Sequence, residues 1–267
     1  MTASPSAAPS QAPGTIAAVI PARWASSRFP GKPLHPIAGK PMIQRVWERC
    51  RQCQSIDRVI IATDDQRIAD AATAFGADVT MTRADHASGT DRIAEVMEKN
   101  PDVDAVVNVQ GDEPMIDPAL VDELASLLRT DPSLQMATAA NVIDTTTEAG
   151  MKRFLDPNVV KVVRNATGDA LYFSRSPIPH NRDGAVIPAA SPLHHKGIYA
   201  YTRKLLLDFI TWPPSPLEQS EALEQLRALD HGITIRVITT DDESPGVDTP
   251  EQVATIEALI AADPSLS

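Results

Sequence analysis

Three short segments of the 267-residue chain carry the residue types that chemistry on phosphate groups requires. The first, Pro21-Ala22-Arg23-Trp24-Ala25-Ser26-Ser27-Arg28-Phe29-Pro30-Gly31-Lys32-Pro33-Leu34, holds three cations, two serines and a glycine, and no acidic residue follows until Glu48. A cationic loop in an otherwise acidic chain suits a polyanion such as a nucleoside triphosphate. The second, Gln110-Gly111-Asp112-Glu113-Pro114, offers adjacent carboxylates to Mg²⁺, which takes one or two and completes its octahedron with water and phosphate oxygens. Asp112 is the better ligand, because Glu113, one residue on along an extended chain, points elsewhere. The third, Gly246-Val247-Asp248-Thr249-Pro250, gains weight only when Asp248 is combined with Asp112. Each segment also has a plainer reading: a solvated basic loop, a turn ahead of a helix, and a helix N-terminus that welcomes negative charge.

Several other chemistries lack their residues. No Ser or Thr follows Gly31-Lys32 and no Gly stands five residues before Gly31, so this is not a Walker A loop. No G-x-G-x-x-G supports a dinucleotide site, and no G-x-S-x-G elbow supports a hydrolase built on Ser88, Asp91 and a histidine. Cys50-Arg51-Gln52-Cys53 has C-x-x-C spacing without a second pair, so it reads as ordinary thiols rather than a zinc site.

The elements that must position these loops alternate along the chain. Ile16 to Ile20, Arg58 to Thr63, Asp78 to Thr82 and Ala105 to Val109 read as strands, separated by helices at Pro41 to Arg51, up to about Phe75, and at Thr90 to Lys99. Pro118 to Arg129 is an amphipathic helix with Leu120, Val121, Leu124, Leu127 and Leu128 on one face. This spacing predicts βαβ units, hence an α/β fold with a mostly parallel, Rossmann-like sheet covered by helices on both faces. In such a sheet ligands bind beyond the carboxyl ends of the strands, which is where the loops fall. The second half reads as a hairpin at Val159 to Val163 and Ala170 to Phe173, a strand at Gly197 to Thr202, a helix at Glu218 to Leu229 and a strand at Ile233 to Thr239. A last helix starts after Asp248, with Thr249 as cap, Pro250 at the first position and Gln252 closing a capping box. Residues 15–264 are expected to form one domain with an inserted β-rich lobe at about 136–210, behind a disordered, uncharged tail at 1–14.

Composition removes whole classes of function. With 24 Lys and Arg against 35 Asp and Glu, a net charge of −11 is the opposite of a nucleic-acid binder's footprint. No apolar run approaches the roughly 18 residues of a membrane helix, so no membrane partner is expected. Two cysteines make no disulfide framework, which favours the reducing cytoplasm.

Beyond the three loops, the chain carries Thr82-Arg83-Ala84-Asp85-His86-Ala87-Ser88-Gly89-Thr90-Asp91-Arg92, Tyr172-Phe173-Ser174-Arg175, His195-Lys196-Gly197-Ile198-Tyr199, and Pro214-Ser215-Pro216-Leu217-Glu218 leading to Leu223-Glu224-Gln225-Leu226-Arg227. Taken in order from about Ile16 to Leu259, these segments closely resemble the 3-deoxy-manno-octulosonate (Kdo) cytidylyltransferase family, the CMP-Kdo synthetases. The resemblance implies a nucleotide-diphospho-sugar transferase type of fold. It also implies a reaction of CTP with Kdo that gives CMP-Kdo and pyrophosphate for lipopolysaccharide assembly. Such a transfer proceeds by in-line attack of the sugar C2 hydroxyl on the α-phosphate, assisted by Mg²⁺ and without a covalent enzyme intermediate. Carried over by position, Arg23 and Lys32 would hold the triphosphate with Ala22 beside them. Arg83, Ser88 and Gln110 would lie near the cytidine, and Asp112 and Asp248 would bind Mg²⁺. Arg175, His195, Tyr199, Glu224 and Gln225 would line the Kdo pocket. The small lobe would join two copies as a homodimer.

Two departures stand out: Trp24 replaces the usual Tyr or aliphatic residue, and Lys196 the usual apolar residue before Gly197. Lys196 beside the sugar pocket leaves room for another acid sugar, such as 8-amino-Kdo or a sialic acid. A non-catalytic nucleotide-binding module would have lost one of Arg23, Lys32, Asp112 or Asp248, and all four are present.

Overall fold

Strand β1 (Ile16–Ala22) runs through the middle of the molecule, and its first five residues are wholly buried on both faces. Side chains alternate across a strand, so Ile16, Ala18 and Ile20 enter one core while Ala17 and Val19 enter the other. The computed structural model describes residues 12–25, 29–182, 191–263 and 266, so most of the expected tail, together with Ser26, Ser27 and Arg28, lies outside the described residues.

After β1 come a single turn of 3₁₀ helix (Lys32–Leu34) and a small ribbon of β2 (Pro36–Ile37) and β3 (Lys40–Pro41). The regular alternation follows: α1 (Met42–Cys50), β4 (Arg58–Thr63), α2 (Gln66–Ala74), β5 (Asp78–Met81), α3 (Gly89–Lys99), β6 (Ala105–Asn108) and α4 (Pro118–Thr130). The second half comprises β7 (Met136–Val142), α5 (Glu148–Leu155), β8 (Lys161–Arg164), β9 (Ala170–Ser174), β10 (Leu193–Thr202), α6 (Arg203–Phe209), α7 (Pro216–Glu221), α8 (Gln225–Asp230), β11 (Ile235–Thr239) and α9 (Pro250–Ala262).

The sheet order is β11-β7-β10-β6-β1-β4-β5, parallel throughout except at β10, which runs against both of its neighbours. Residues of α1, α2 and α4 pack on one face and those of α3, α6 and α8 on the other, as the alternating pattern requires. Helix α9 joins Phe29, Ile37, Met42 and Val247 in a third, smaller cluster at the loop edge.

Two expectations meet a different arrangement. Within 136–210, β7 and β10 are buried strands of the main sheet, and the β8–β9 hairpin branches from the start of β10 at Leu193 and His194. The helix expected over Glu218–Leu229 is two helices, because the chain turns at Ala222 with φ 51°, where its N–H caps Glu218 O. No Gly or Pro marks that break. Helices α5 and α6 had no reading in the sequence; each is short and capped by a threonine hydroxyl, Thr147 or Thr202.

Candidate active site

The parallel strands β1, β4 and β6 deliver their carboxyl ends to one edge of the sheet. The loop leaving β1 is closed by the Gly31 N–H donating to Trp24 O at 3.1 Å. Gly31 has φ 73°, and a Cβ there would stand 3.1 Å from the Trp24 indole, so glycine is required twice over. The 3₁₀ turn that follows aims Lys32 across the edge. Its Nζ donates to Asp112 Oδ2 at 2.7 Å and to Val247 O at 2.9 Å, and stands 3.6 Å from Asp248 Oδ1. One ammonium thus gathers all three loops that sequence analysis singled out.

Their close approach depends on Gly111, where a Cβ would lie 2.6 Å from Pro21 O. The Val247 N–H donates to Asp112 O at 2.9 Å, which fastens the third loop to the second. Gln252 Oε1 accepts from Asp248 N at 2.6 Å and from Thr249 N at 3.0 Å, so the first turn of α9 fixes the backbone that presents Asp248. Glu113 turns away from this cluster, as expected, and lines a neighbouring cavity. Burial pushes its carboxyl up to about 7; Lys196 opposes the shift, and Asp112 and Asp242 add to it.

Two cavities adjoin the edge. The smaller, about 200 Å³, is lined by Thr90, Asn108, Gln110, Tyr199, Glu224 and Gln225 among others. Asn108 Oδ1 and Gln225 Nε2 are buried there without a hydrogen-bond partner among the described residues, in side chains more than nine-tenths buried. Stranded polar atoms of this kind cost free energy unless a ligand satisfies them. The larger cavity, about 480 Å³, includes His195, Lys196, Glu113, Asn141 and Ser244 in its wall. Gly197 borders both, at a β-bulge where the β10–β7 register shifts between Lys196 and Tyr199. The Thr138 hydroxyl holds the bulge by donating to Ile198 O at 2.7 Å.

The bulge sets His195 and Tyr199 on one side, with ring centroids 5.3 Å apart and Phe173 5.1 Å beyond the imidazole. Burial, reinforced by His194, pulls the His195 pKa down to about 3, so the ring is neutral at physiological pH. Glu224 accepts a short hydrogen bond from the Thr90 hydroxyl. Gln110 reaches across the smaller cavity to Gly197 O at 2.9 Å.

The remaining residues of the expected set are more scattered. Ala22 is buried and Arg23 half-buried at the exit of β1. Ser88 caps α3 through a box with Asp91, and Arg83 is exposed, 3.2 Å from Asp85. Arg175 spends its guanidinium on backbone carbonyls, donating to Glu221 O at 2.7 Å and Pro157 O at 3.1 Å, and ties the hairpin to the α7–α8 turn. Asn108, Thr90 and Tyr201 line the smaller cavity without having been singled out. Asn108 left a signal, being a polar residue that ends the apolar run Ala105-Val106-Val107.

A mostly parallel sheet whose carboxyl edge brings a lysine between two aspartates, beside polar cavities, defines a nucleotidyltransferase of the nucleotide-diphospho-sugar transferase type. Residues 17–235 match the family described as Cytidylyltransferase. A 3-deoxy-manno-octulosonate cytidylyltransferase from Syntrophotalea carbinolica is 54% identical over 250 residues, 91% of this chain and 98% of that protein. One from Geobacter metallireducens is 50% identical over 246 residues, 89% and 94% of the two chains. Among solved structures, a CMP:2-keto-3-deoxy-manno-octonic acid synthetase complexed with CTP superposes with a TM-score of 0.87 at 47% identity, covering 93% of this chain and 99% of that one. A cytidylyltransferase from Leptospira borgpetersenii, at 17% identity and TM-score 0.60, shares the fold over 93% of this chain and 87% of its own. The chain belongs to the 3-deoxy-manno-octulosonate cytidylyltransferase family.

Proposed function

We propose that this enzyme transfers the cytidylyl group of CTP to Kdo, giving CMP-Kdo and pyrophosphate for lipopolysaccharide assembly. The observation that carries the reading is the Lys32 ammonium lodged between Asp112 and Asp248 at the carboxyl edge of the sheet. The sugar's C2 hydroxyl oxygen bonds to the α-phosphorus as the bond to the pyrophosphate oxygen breaks, and the hydroxyl proton passes to solvent. This chemistry needs positioning and charge neutralisation more than a protein nucleophile.

The donor set fits a divalent cation. Two aspartates present hard oxygen donors within reach of one cation, the lysine ammonium, and a magnesium ion needs no more from protein when phosphates and water complete its shell. Asp112 and Asp248 are the residues that would hold Mg²⁺, which supplies Lewis-acid neutralisation of the phosphate charge when bound. Lys32 then exchanges its aspartate partner for triphosphate oxygens, and Arg23 at the exit of β1 adds the second cation. Arg83, Ser88 and Gln110 belong to the cytidine side. Tyr199, Glu224 and Gln225 serve the polyhydroxylated sugar, with His195 as a neutral hydrogen-bonding ring and not as a cation for the carboxylate. Arg175 supports that pocket from behind through the α7–α8 turn.

The chain works as a homodimer of single-domain protomers, joined through the lobe that carries α5, β8 and β9. Exposed Met151 and Leu155 on α5 and Leu171 on β9, with Val142 at the end of β7, support this assembly. Free, buried Cys50 and Cys53 suit a cytoplasmic setting, and among the described residues no helix is long and apolar enough to cross a membrane.

The test is pyrophosphate release with Mg²⁺ and Kdo, comparing CTP with ATP, GTP and UTP. Release with CTP that requires both sugar and metal is expected. Release with a sialic acid or 8-amino-Kdo but none with Kdo overturns the sugar assignment.

A further inference from the structure

Lys196 stands in the wall of the larger cavity, and its charge would matter to an acidic ligand if it were free. It is not free. Lys196 Nζ donates to Asp242 Oδ2 at 2.7 Å and to Asp242 O at 2.9 Å, and both side chains are more than nine-tenths buried, at 8% and 5% exposure. The other carboxylate oxygen, Asp242 Oδ1, accepts from Ser244 N at 3.0 Å. The Ser244 hydroxyl has a single proton to give; beside Asp242 Oδ1, it can donate it to Met115 O at 2.7 Å, in the loop that carries Asp112. From β7, Asn141 Nδ2 donates to Thr240 O at 2.8 Å and to Asp242 O at 2.9 Å. The segment between β11 and Asp248 has no regular structure of its own, and these bonds are what shape it.

The two aspartate-bearing loops are therefore fastened to each other twice. One fastening is Val247 N to Asp112 O at 2.9 Å; the other runs through Ser244 to Met115 and is anchored on β10 by the Lys196–Asp242 pair. We infer that Lys196 and Asp242 are positioning residues that fix Asp248 against Asp112, and so set the affinity for the divalent cation those carboxylates take. Lys196 does not read the sugar. This inference rests on the metal role of Asp112 and Asp248.

The experiment is calorimetric titration of the full-length chain with CTP, once with Mg²⁺ and once with EDTA. The Mg²⁺-dependent tightening is the readout, and a merely structural residue has no reason to change it selectively. Lys196→Met is expected to lose about tenfold of that tightening, in the range for residues that orient metal ligands, while affinity in EDTA changes less than about twofold. Lys196→Arg, which keeps the cation, is expected to restore most of it. Ser244→Ala removes one hydroxyl at a half-buried site and serves as the milder variant should Lys196→Met fail to fold; it is expected to lose part of the tightening. Wild-type tightening in a folded Lys196→Met or in Ser244→Ala overturns the inference. So does unchanged tightening accompanied by a raised KM for Kdo at saturating Mg²⁺, which would return Lys196 to the sugar pocket. Asp112→Asn and Asp248→Asn separate the metal role of the aspartates from the positioning role of Lys196. If they keep the tightening, the metal reading fails; if they abolish it while Lys196→Met does not alter it, only the positioning role fails.

Discussion

A lysine ammonium 2.7 Å from one aspartate and 3.6 Å from another behaves as a resident counter-ion, and its partners are the first residues to test. Asp112→Asn preserves shape and removes the charge; turnover should fall on the order of 10³-fold, with the thermal unfolding midpoint little changed, read by steady-state kinetics beside calorimetry. His195 and His194 give the protein a distinct pH signature. Both are held neutral chiefly by burial, at pKa values of about 3 and about 4 against an ordinary 6.5. Below 6.5 the unfolded chain binds protons that the folded chain refuses, so stability rises with pH across this window and is lost as pH falls through it. Glu95 acts lower down. Burial raises its pKa, but Lys99, the Arg83 N–H and His86 together overcome this and hold it at about 2, so its contribution is lost only below its ordinary 4.5. Unfolding free energies from urea titration at pH 7.5 and 5 should therefore differ, and His195→Gln should reduce that difference by about 1–2 kcal/mol. Asp112 and Asp248 were legible because the motifs that carry them are local. The neutrality of His195 was not, since it comes from burial, to which Phe173 contributes by packing on the ring from β9.

Loops and helix ends decide how these residues meet. Gly111 lets the loop after β6 pass close to β1: a Cβ there would stand 2.6 Å from Pro21 O, a backbone atom that cannot swing aside. Gly111→Ala should destabilise by about 1–3 kcal/mol and lower kcat/KM as the two loops separate, measured by denaturant titration and initial rates. Ala222 is the opposite case, an L-residue in a left-handed turn at φ 51°. Ala222→Gly should stabilise by about 1 kcal/mol and raise the melting temperature. The α7–α8 break could not be read because its turn lacks glycine, and an unbroken apolar spacing over Glu218–Leu229 imitates one helix. Strands β1, β4 and β6 were readable for the converse reason: burial on both faces leaves continuous apolar runs bounded by polar turns.

At the scale of the molecule, the exposed apolar residues Val142, Leu155 and Leu171, at 56%, 57% and 61% exposure, mark the surface proposed to pair two copies. Leu171→Glu should convert a dimer into a monomer by light scattering after size-exclusion chromatography. Sequence periodicity conveyed the parallel half well and the other half poorly, because β10 is antiparallel and joins partners far away in the chain. That strand has a consequence for synthesis. As the chain leaves the ribosome, β1, β4, β5 and β6 can assemble into a contiguous parallel block with β6 at its open edge. The strand that covers this edge begins about 85 residues after β6 ends, at Leu193. At ordinary elongation rates the nascent protein thus carries an uncovered apolar edge for on the order of 5–15 s. Those seconds of translation, not the finished fold, are when it is most open to pairing with a neighbour or to a chaperone's grip.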